Sequence, residues 1–354
     1  MNHKDKTKFG CIEGARAVGA FTVVVWHLYI HLDVYFDDFS LRYIFRGEWA
    51  NIFFFILSGF LAAYTMKDKK LPRVSEFCKK RIKKVYPLWL MTTSFFFILS
   101  MAEFLIRSEI SITNISTLLF KTVIDIFLIQ SWIPGYPYLF DLNGPGWFLS
   151  SMLLLWILTI PMLKIIQRME RKQKKAFLVG IIIIQIVWDF ARMNIGIMGR
   201  YATGVWWLYP ISSYVVGLLF GSEFRSEKVV NKYSYVISSH IFIICGIIIC
   251  YFVTFNITFI ENAVLIIYMM YLIWVLASEK SSLCKIMSNK LLVFIGGISF
   301  EIYMLHIPID RFLGFFGFIH NEVVSFIVVV CLTVLAAIIW NKIMSWYRQN
   351  NPPV

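Results

Sequence analysis

The chain has 354 residues, of which 59% are apolar and only 16% charged, where soluble domains carry about 45–50% and about 25%. With a mean hydropathy of +0.70, this composition excludes both a disordered chain and a water-soluble domain. Basic residues outnumber acidic ones by 34 to 21, for a net charge of +13. In so apolar a chain the excess reads as a membrane-orientation signal, not as a nucleic-acid footprint.

A spanning helix takes about 20 residues and a short loop about ten, which bounds the chain near ten or eleven spans. Apolar stretches lie at 14–33, 48–66, 85–106, 147–163, 176–190, 204–221, 236–255, 262–277, 291–309 and 323–341, and they predict ten. The fifth is short for a hydrocarbon core of about 30 Å. Residues 117–131, which carry Lys121 and Asp125, predict an amphipathic helix lying in the interface. With the N-terminus placed in the cytoplasm, 26 basic residues fall on the cytoplasmic side and 7 opposite, Arg16 lying within the first span. That asymmetry predicts cytoplasmic termini. The expected fold is an all-α polytopic helix bundle, one membrane domain over residues 1–354.

Lys4, Lys6 and Lys8 precede the first apolar run as in a signal peptide, but the run ends in His31, Leu32 and Asp33 with no small-residue cleavage site. The segment is expected to stay attached. The six cysteines form no CxxC pair and fall in spans or cytoplasmic segments, so they read as reduced and structural.

Ionisable side chains inside a span cost a few kcal/mol or more, so each is a functional candidate. Arg16 and His27 are eleven residues apart, which places them on one helical face about 16 Å apart along the axis. His31 extends the stripe by one turn. A histidine here packs by hydrogen bonding to a neighbouring helix, or works chemically; Arg16 on the same face favours chemistry. A metal site at His27 and His31 is not expected, since neither an HExxH pattern nor a nearby cysteine accompanies them.

The second span reads FFFILSGFLAAY, where Ser58 and Gly59 permit close helix contact. FCKKRIKKVYPLW follows, with Lys80, Arg81 and Lys84 three or four residues apart beneath the membrane. Anionic lipid headgroups alone would account for such a cluster. The fourth span opens at NGPGWFLSS, a turn with Asn143, then Trp147 placed as an interfacial anchor. In the ninth, GGISFEIYMLHIP, Ser299, Tyr303 and His306 line one face. Two spans with polar faces ending in histidine predict a buried polar cavity between them.

Taken together these segments resemble acyltransferase family 3, the integral membrane O-acyltransferases that modify bacterial surface polysaccharides and related glycans. The resemblance spans nearly the whole chain. Arg16 and His27 match the family's arginine, ten residues, histidine signature; FFFILSGFL matches its Ser-Gly-Phe element; KKRIKKVYP its basic motif; ISFEIYMLH its late serine, tyrosine, histidine element. Lys84 stands where arginine is common, which loses the bidentate fork for phosphate but keeps the charge. Ile52 and Met152 occupy positions near which many members carry an acidic residue, with Glu48 and Asn51 the nearest polar groups to the first.

The resemblance implies that His27 is catalytic with Arg16 alongside, and that Arg81, Lys84, Lys80 and Arg16 bind an acyl-CoA donor, acetyl-CoA by default. His27 then acts as general base, or as the nucleophile of an acyl-histidine. Ser58, Asn143, Trp147, Ser299, Tyr303 and His306 are expected near substrate or oxyanion. The acceptor is expected to be a hydroxyl of a surface polysaccharide or lipid-linked oligosaccharide, approaching from the outside along segment 107–146. The implied location is the plasma membrane of a bacterium, with lipids as neighbours, no nucleic-acid partner and no metal. The rival reading is a multi-span transporter or flippase for a lipid-linked saccharide, whose inverted repeats and broken helix pairs the sequence does not display.

Overall fold

The computed structural model describes residues 9–31, 46–134, 142–195, 204–224, 258–279, 281–317 and 321–351, together with 241, 244–246 and 248. Most of the predicted seventh span at 236–255 and the side chain of His31 lie outside the described residues. Twelve helices are used below: α1 (Gly10–His31), α2 (Gly47–Met66), α3 (Val74–Ile106), α4 (Ile112–Ile126), α5 (Gly146–Arg168), α6 (Arg171–Asn194), α7 (Tyr209–Glu223), α8 (Thr258–Ala277), α9 (Ser282–Met287), α10 (Lys290–Gly297), α11 (Ser299–Phe316) and α12 (Glu322–Asn350). No strand occurs among the described residues. Seven of these helices are long and apolar enough to cross a membrane, and the bent pair α10 and α11 adds an eighth. The chain is an all-α polytopic membrane protein.

Its outer surface fits lipid. Ile183, Ile184 and Val187 on α6 and Ile327, Leu335 and Ile339 on α12 are each about half exposed. In water such stripes would be a docking or aggregation surface; in a bilayer they match the solvent, while the helices satisfy their own backbone groups.

Between helices, small residues set the spacing. A Cβ at Gly59 of α2 would fall 2.2 Å from the Tyr214 carbonyl oxygen of α7, and one at Gly217 of α7 would fall 2.1 Å from that of Ile56. The backbones of α2 and α7 therefore touch directly, the close contact expected of Ser-Gly in a bulky span. Around that seam Phe60 stacks on Phe220 with centroids 5.2 Å apart.

Three elements depart from their sequence reading. The fifth span, read as 176–190, is the 24-residue α6, because its first turns carry the basic residues that composition assigns to a loop. The ninth, read as one stretch over 291–309, breaks at Ile298 and bends by 66°. Gly296 lets the end of α10 pass against the Glu13 carbonyl of α1, where any Cβ would collide, so Ser299 opens a new helix. The sixth, read as 204–221, begins as a 3-10 turn at Gly204–Trp207. After it, Leu208 adopts a left-handed φ of 66° and α7 runs for only 15 residues.

Where the sequence predicts an amphipathic helix at 117–131, the structure has α4 over Ile112–Ile126, followed by Leu128 at a positive φ of 56° and a 3-10 turn at Gln130–Trp132. The Ser111 hydroxyl caps α4, accepting from the Asn114 N–H at 3.1 Å. The helix buries Leu118, Ile124 and Asp125 and exposes Leu119, Phe120 and Val123.

Candidate active site

Two cavities, each of about 400 Å³, lie one beyond the other along α1. The first is bounded by α1, α2, α3, α5 and α11, with Arg16, Arg81 and Lys84 as its cations and Phe54, Met152 and Trp156 among its apolar walls. α3 brings Arg81 and Lys84 there because it is helical from Val74 onward, so the basic motif is the first turns of a 33-residue helix. Arg81 lies over the Phe77 ring at 3.4 Å, a cation–π contact that holds the guanidinium in place. Arg16 forms two bonds to Glu13, at 2.8 and 3.1 Å. It therefore enters the cavity as half of an ion pair. Glu13 was missed in the sequence, where it reads as an ordinary first-turn acid.

The second cavity is polar. His27, Trp147 and Tyr209 border it together with Arg46, Glu48 and Asn51. Arg46 hydrogen-bonds Glu48 at 2.7 Å and forms an ion pair with Glu261 at 2.7 Å. Behind the wall Asp189, fully buried, accepts from Gln185 at 2.9 Å and Asn262 at 3.0 Å, with Arg192 at 3.7 Å.

One layer of side chains divides the two. Trp147 borders the polar cavity and its neighbour Phe148 the basic one. Tyr303, buried beside Phe148 with centroids 5.6 Å apart, donates its hydroxyl to the Pro145 carbonyl at 2.9 Å. One turn further along α11, His306 is fully buried, and its Nε2 lies 3.0 Å from Nδ1 of His27. Where the sequence predicts a buried polar cavity between the first and ninth spans, their histidines are in direct contact and no described cavity is lined by both.

Of the remaining predicted residues, Ser58 and Ser299 line the basic cavity. Lys80 does not. It is exposed and lies one turn before Lys84, about 40° from it around the helix, at the edge of the face that Arg81, Lys84 and Val85 present to the cavity. Asn143 borders neither cavity; its amide donates to Thr92 at 3.0 Å and ties the turn before α5 to α3. Trp147 is buried and packs edge-on to Trp207 at 5.3 Å, so it is a wall and not an interfacial anchor. Segment 107–146 contributes none of the described residues around the polar cavity, whose walls come from α1, α2, α5, α6, α8, the turn at Gly204–Trp207 and the start of α7. Residues 135–141 of it lie outside the described residues.

Ile52 is fully buried in the core, whereas Glu48 and Asn51, the polar groups nearest it in sequence, face the polar cavity. Met152 lines the basic one. Arg46, Glu261, Asn262 and Trp207 also border the polar cavity without having been singled out in the sequence. A glutamate at the start of a span and a tryptophan near its end look like ordinary boundary residues, so pattern offered no signal. Among the described residues no three His, Cys, Asp or Glu side chains are grouped to hold a metal.

The acyltransferase domain profile of acyltransferase family 3 matches residues 9–341. The chain belongs to this family. A relative, the acyltransferase MdmB of Streptomyces mycarofaciens, is 33% identical over 104 residues, covering 29% of this chain and 25% of its own length. The chain thus aligns with about a quarter of that curated protein. No solved structure matches. The family 3 match takes in both cavities and the histidine pair, since all their described residues fall within 9–341.

Proposed function

We propose that this chain is a membrane O-acyltransferase that moves an acyl group, acetyl by default, from cytoplasmic acyl-CoA to a hydroxyl of a surface or lipid-linked glycan. The observation that carries the reading is the His27–His306 pair at 3.0 Å, set where a basic cavity and a polar cavity approach within one side-chain layer. The charge asymmetry of the loops puts the Arg16 end of α1 inside the cell and the His27 end outside. The basic cavity then opens toward the donor, and its apolar walls suit the pantetheine arm while Arg81 and Lys84 meet phosphate.

In the reaction so drawn, His27 donates Nδ1–H to His306 and carries its lone pair on Nε2. The acceptor O–H gives its proton to that nitrogen as its oxygen attacks the thioester carbonyl. Collapse of the tetrahedral adduct breaks the C–S bond, the CoA thiolate leaves, and the proton passes from His27 to the sulfur. Products are the sugar ester and CoA thiol. Phe148 and Tyr303 must part for the acyl carbon to meet the hydroxyl. The plasma membrane of a bacterium is the matching location.

Membranes carrying the wild type or His27→Ala, supplied with radiolabelled acetyl-CoA and isolated surface glycan, test this. Label is expected to enter the glycan with the wild type and to fall about 10²–10⁴-fold in the variant. Undiminished transfer by a folded variant would remove His27 from the chemistry, and no transfer to any glycan would overturn the activity.

A further inference from the structure

The outer end of the basic cavity is closed by aromatic rings. α2 runs antiparallel to α1, with Gly19 of α1 against Phe54 and Gly47 of α2 against Trp26, so its lining residues climb outward from Thr65 to Phe54. Those of α5 climb from Trp156 to Phe148 and those of α11 from Ser299 to Tyr303, the latter two helices reaching the same level where Phe148 packs on Tyr303. Each series ends at a ring. Thr65 and Phe54 are eleven residues apart, which makes the cavity about 16 Å deep. Phe148 is the central ring of this roof, its centroid 6.3 Å from that of Phe54 and 5.6 Å from that of Tyr303.

Phe148 has little room to withdraw. Behind it lies the fully buried Phe55 at a centroid distance of 4.5 Å, with Trp147 edge-on at 6.2 Å. Tyr303 is tethered by its bond to the Pro145 carbonyl at 2.9 Å, and the same carbonyl accepts from the Phe148 N–H at 3.2 Å. Packing of this density has no spare volume, so a group that enters between the rings must displace them.

A pantetheine arm of about twelve bonds reaches roughly 15 Å when extended. With its phosphate on Arg81 and Lys84, that length matches the depth of the cavity and brings the thioester up to the rings. The part of the acyl group beyond the carbonyl then meets Phe148. Each further methylene adds volume to which the rings must yield, and a hydrophobic pocket discriminates about 10–200-fold per methylene.

We infer that Phe148 sets the acyl length this chain accepts, limiting the donor to short acyl groups of two or three carbons. This rests on the acyl-transfer reading for the donor's chemistry and deepens it by naming the residue that selects the donor.

The full chain in lipid nanodiscs, without acceptor, is titrated calorimetrically with S-ethyl-, S-butyl- and S-hexyl-CoA, thioethers that cannot transfer their alkyl group. The wild type is expected to bind S-ethyl-CoA at least about tenfold more tightly than S-butyl-CoA, and S-hexyl-CoA more weakly still. Phe148→Ala removes the whole phenyl ring and should bring all three affinities within about threefold, with Phe148→Leu in between. A gain of affinity for the longer probes cannot arise from unfolding. Met152→Ala opens the same wall one turn, about 6 Å, nearer the cytoplasm, and should keep the wild-type order of affinities. Equal affinities in the wild type, an unaltered order in Phe148→Ala, or the same relaxation in Met152→Ala would each overturn the inference. Label transfer from acetyl-CoA to glycan is measured alongside. Probe selectivity that follows Phe148 in a protein that transfers no label would sink the acyl-transfer reading and leave the length gate standing.

Discussion

Replacing Gly59 by alanine adds one methyl group at a seam where two helix backbones touch. The new Cβ would lie 2.2 Å from the Tyr214 carbonyl oxygen and 3.0 Å from the Leu218 nitrogen, about 1.2 Å short of an ordinary 3.4 Å contact. Both obstacles are backbone atoms of α7, so no side chain can rotate away; α2 and α7 must separate. A gap of 0.5–1 Å already forfeits a quarter to a half of each dispersion contact, and overpacking of this kind costs about 1–3 kcal/mol. The upper end applies, which in a chain of this length corresponds to a fall in melting temperature of about 4 °C, read by fluorescence-detected size exclusion after heating in detergent. Gly180 of α6 is the internal control: a Cβ there meets nothing within 4 Å, so Gly180→Ala should be neutral or stabilise by up to about 1 kcal/mol through helix propensity. A Gly59→Ala protein melting with the wild type, or a Gly180→Ala protein melting as low as Gly59→Ala should, would refute the argument from helix spacing.

Arg81→Ala and Lys84→Ala should each raise the KM for acyl-CoA about tenfold, whereas Lys80→Ala leaves it unchanged, since Lys80 is exposed and does not line the cavity; steady-state kinetics over donor concentration decides. His306→Phe keeps the packing but removes the partner of His27 Nδ1, and kcat should drop about 10–100-fold with little change in either KM; a variant with wild-type kcat would show that the pair is only packing. Asp125 gives a pH dependence of stability. Burial pushes its carboxyl up to about 8, against the opposing pull of Lys121 and the Asn143 backbone. The folded state therefore holds a proton that the unfolded chain has already lost above about pH 4. Stability from this group is present below that value, declines by about 1.4 kcal/mol per pH unit at most as pH rises, and levels off above pH 8. Asp125→Asn should melt increasingly above the wild type between pH 5 and pH 8, and parallel melting profiles would count against the buried carboxyl.

The sequence alone determined the solvent, the class of fold and the chemistry at stake. Apolar runs of span length state the cost of exposing them to water, and helical periodicity is enough to put Arg16 and His27 on one face and Ser299, Tyr303 and His306 on another. Four short motifs in order pointed to the family that the profile match then established. Periodicity fixes directions around one helix, however, and nothing about which faces meet. Only packing decided that His27 and His306 touch, that Arg16 is held by Glu13, that Lys80 and Asn143 stand outside the cavities, and that Trp147 is a cavity wall. The polar cavity was illegible for the same reason: its arginines, glutamates and aromatic rings come from the ends of six separate segments, each unremarkable in its own stretch of sequence. They become a site because glycine-spaced helices, a 66° break at Ile298 and one strained leucine bring those ends together.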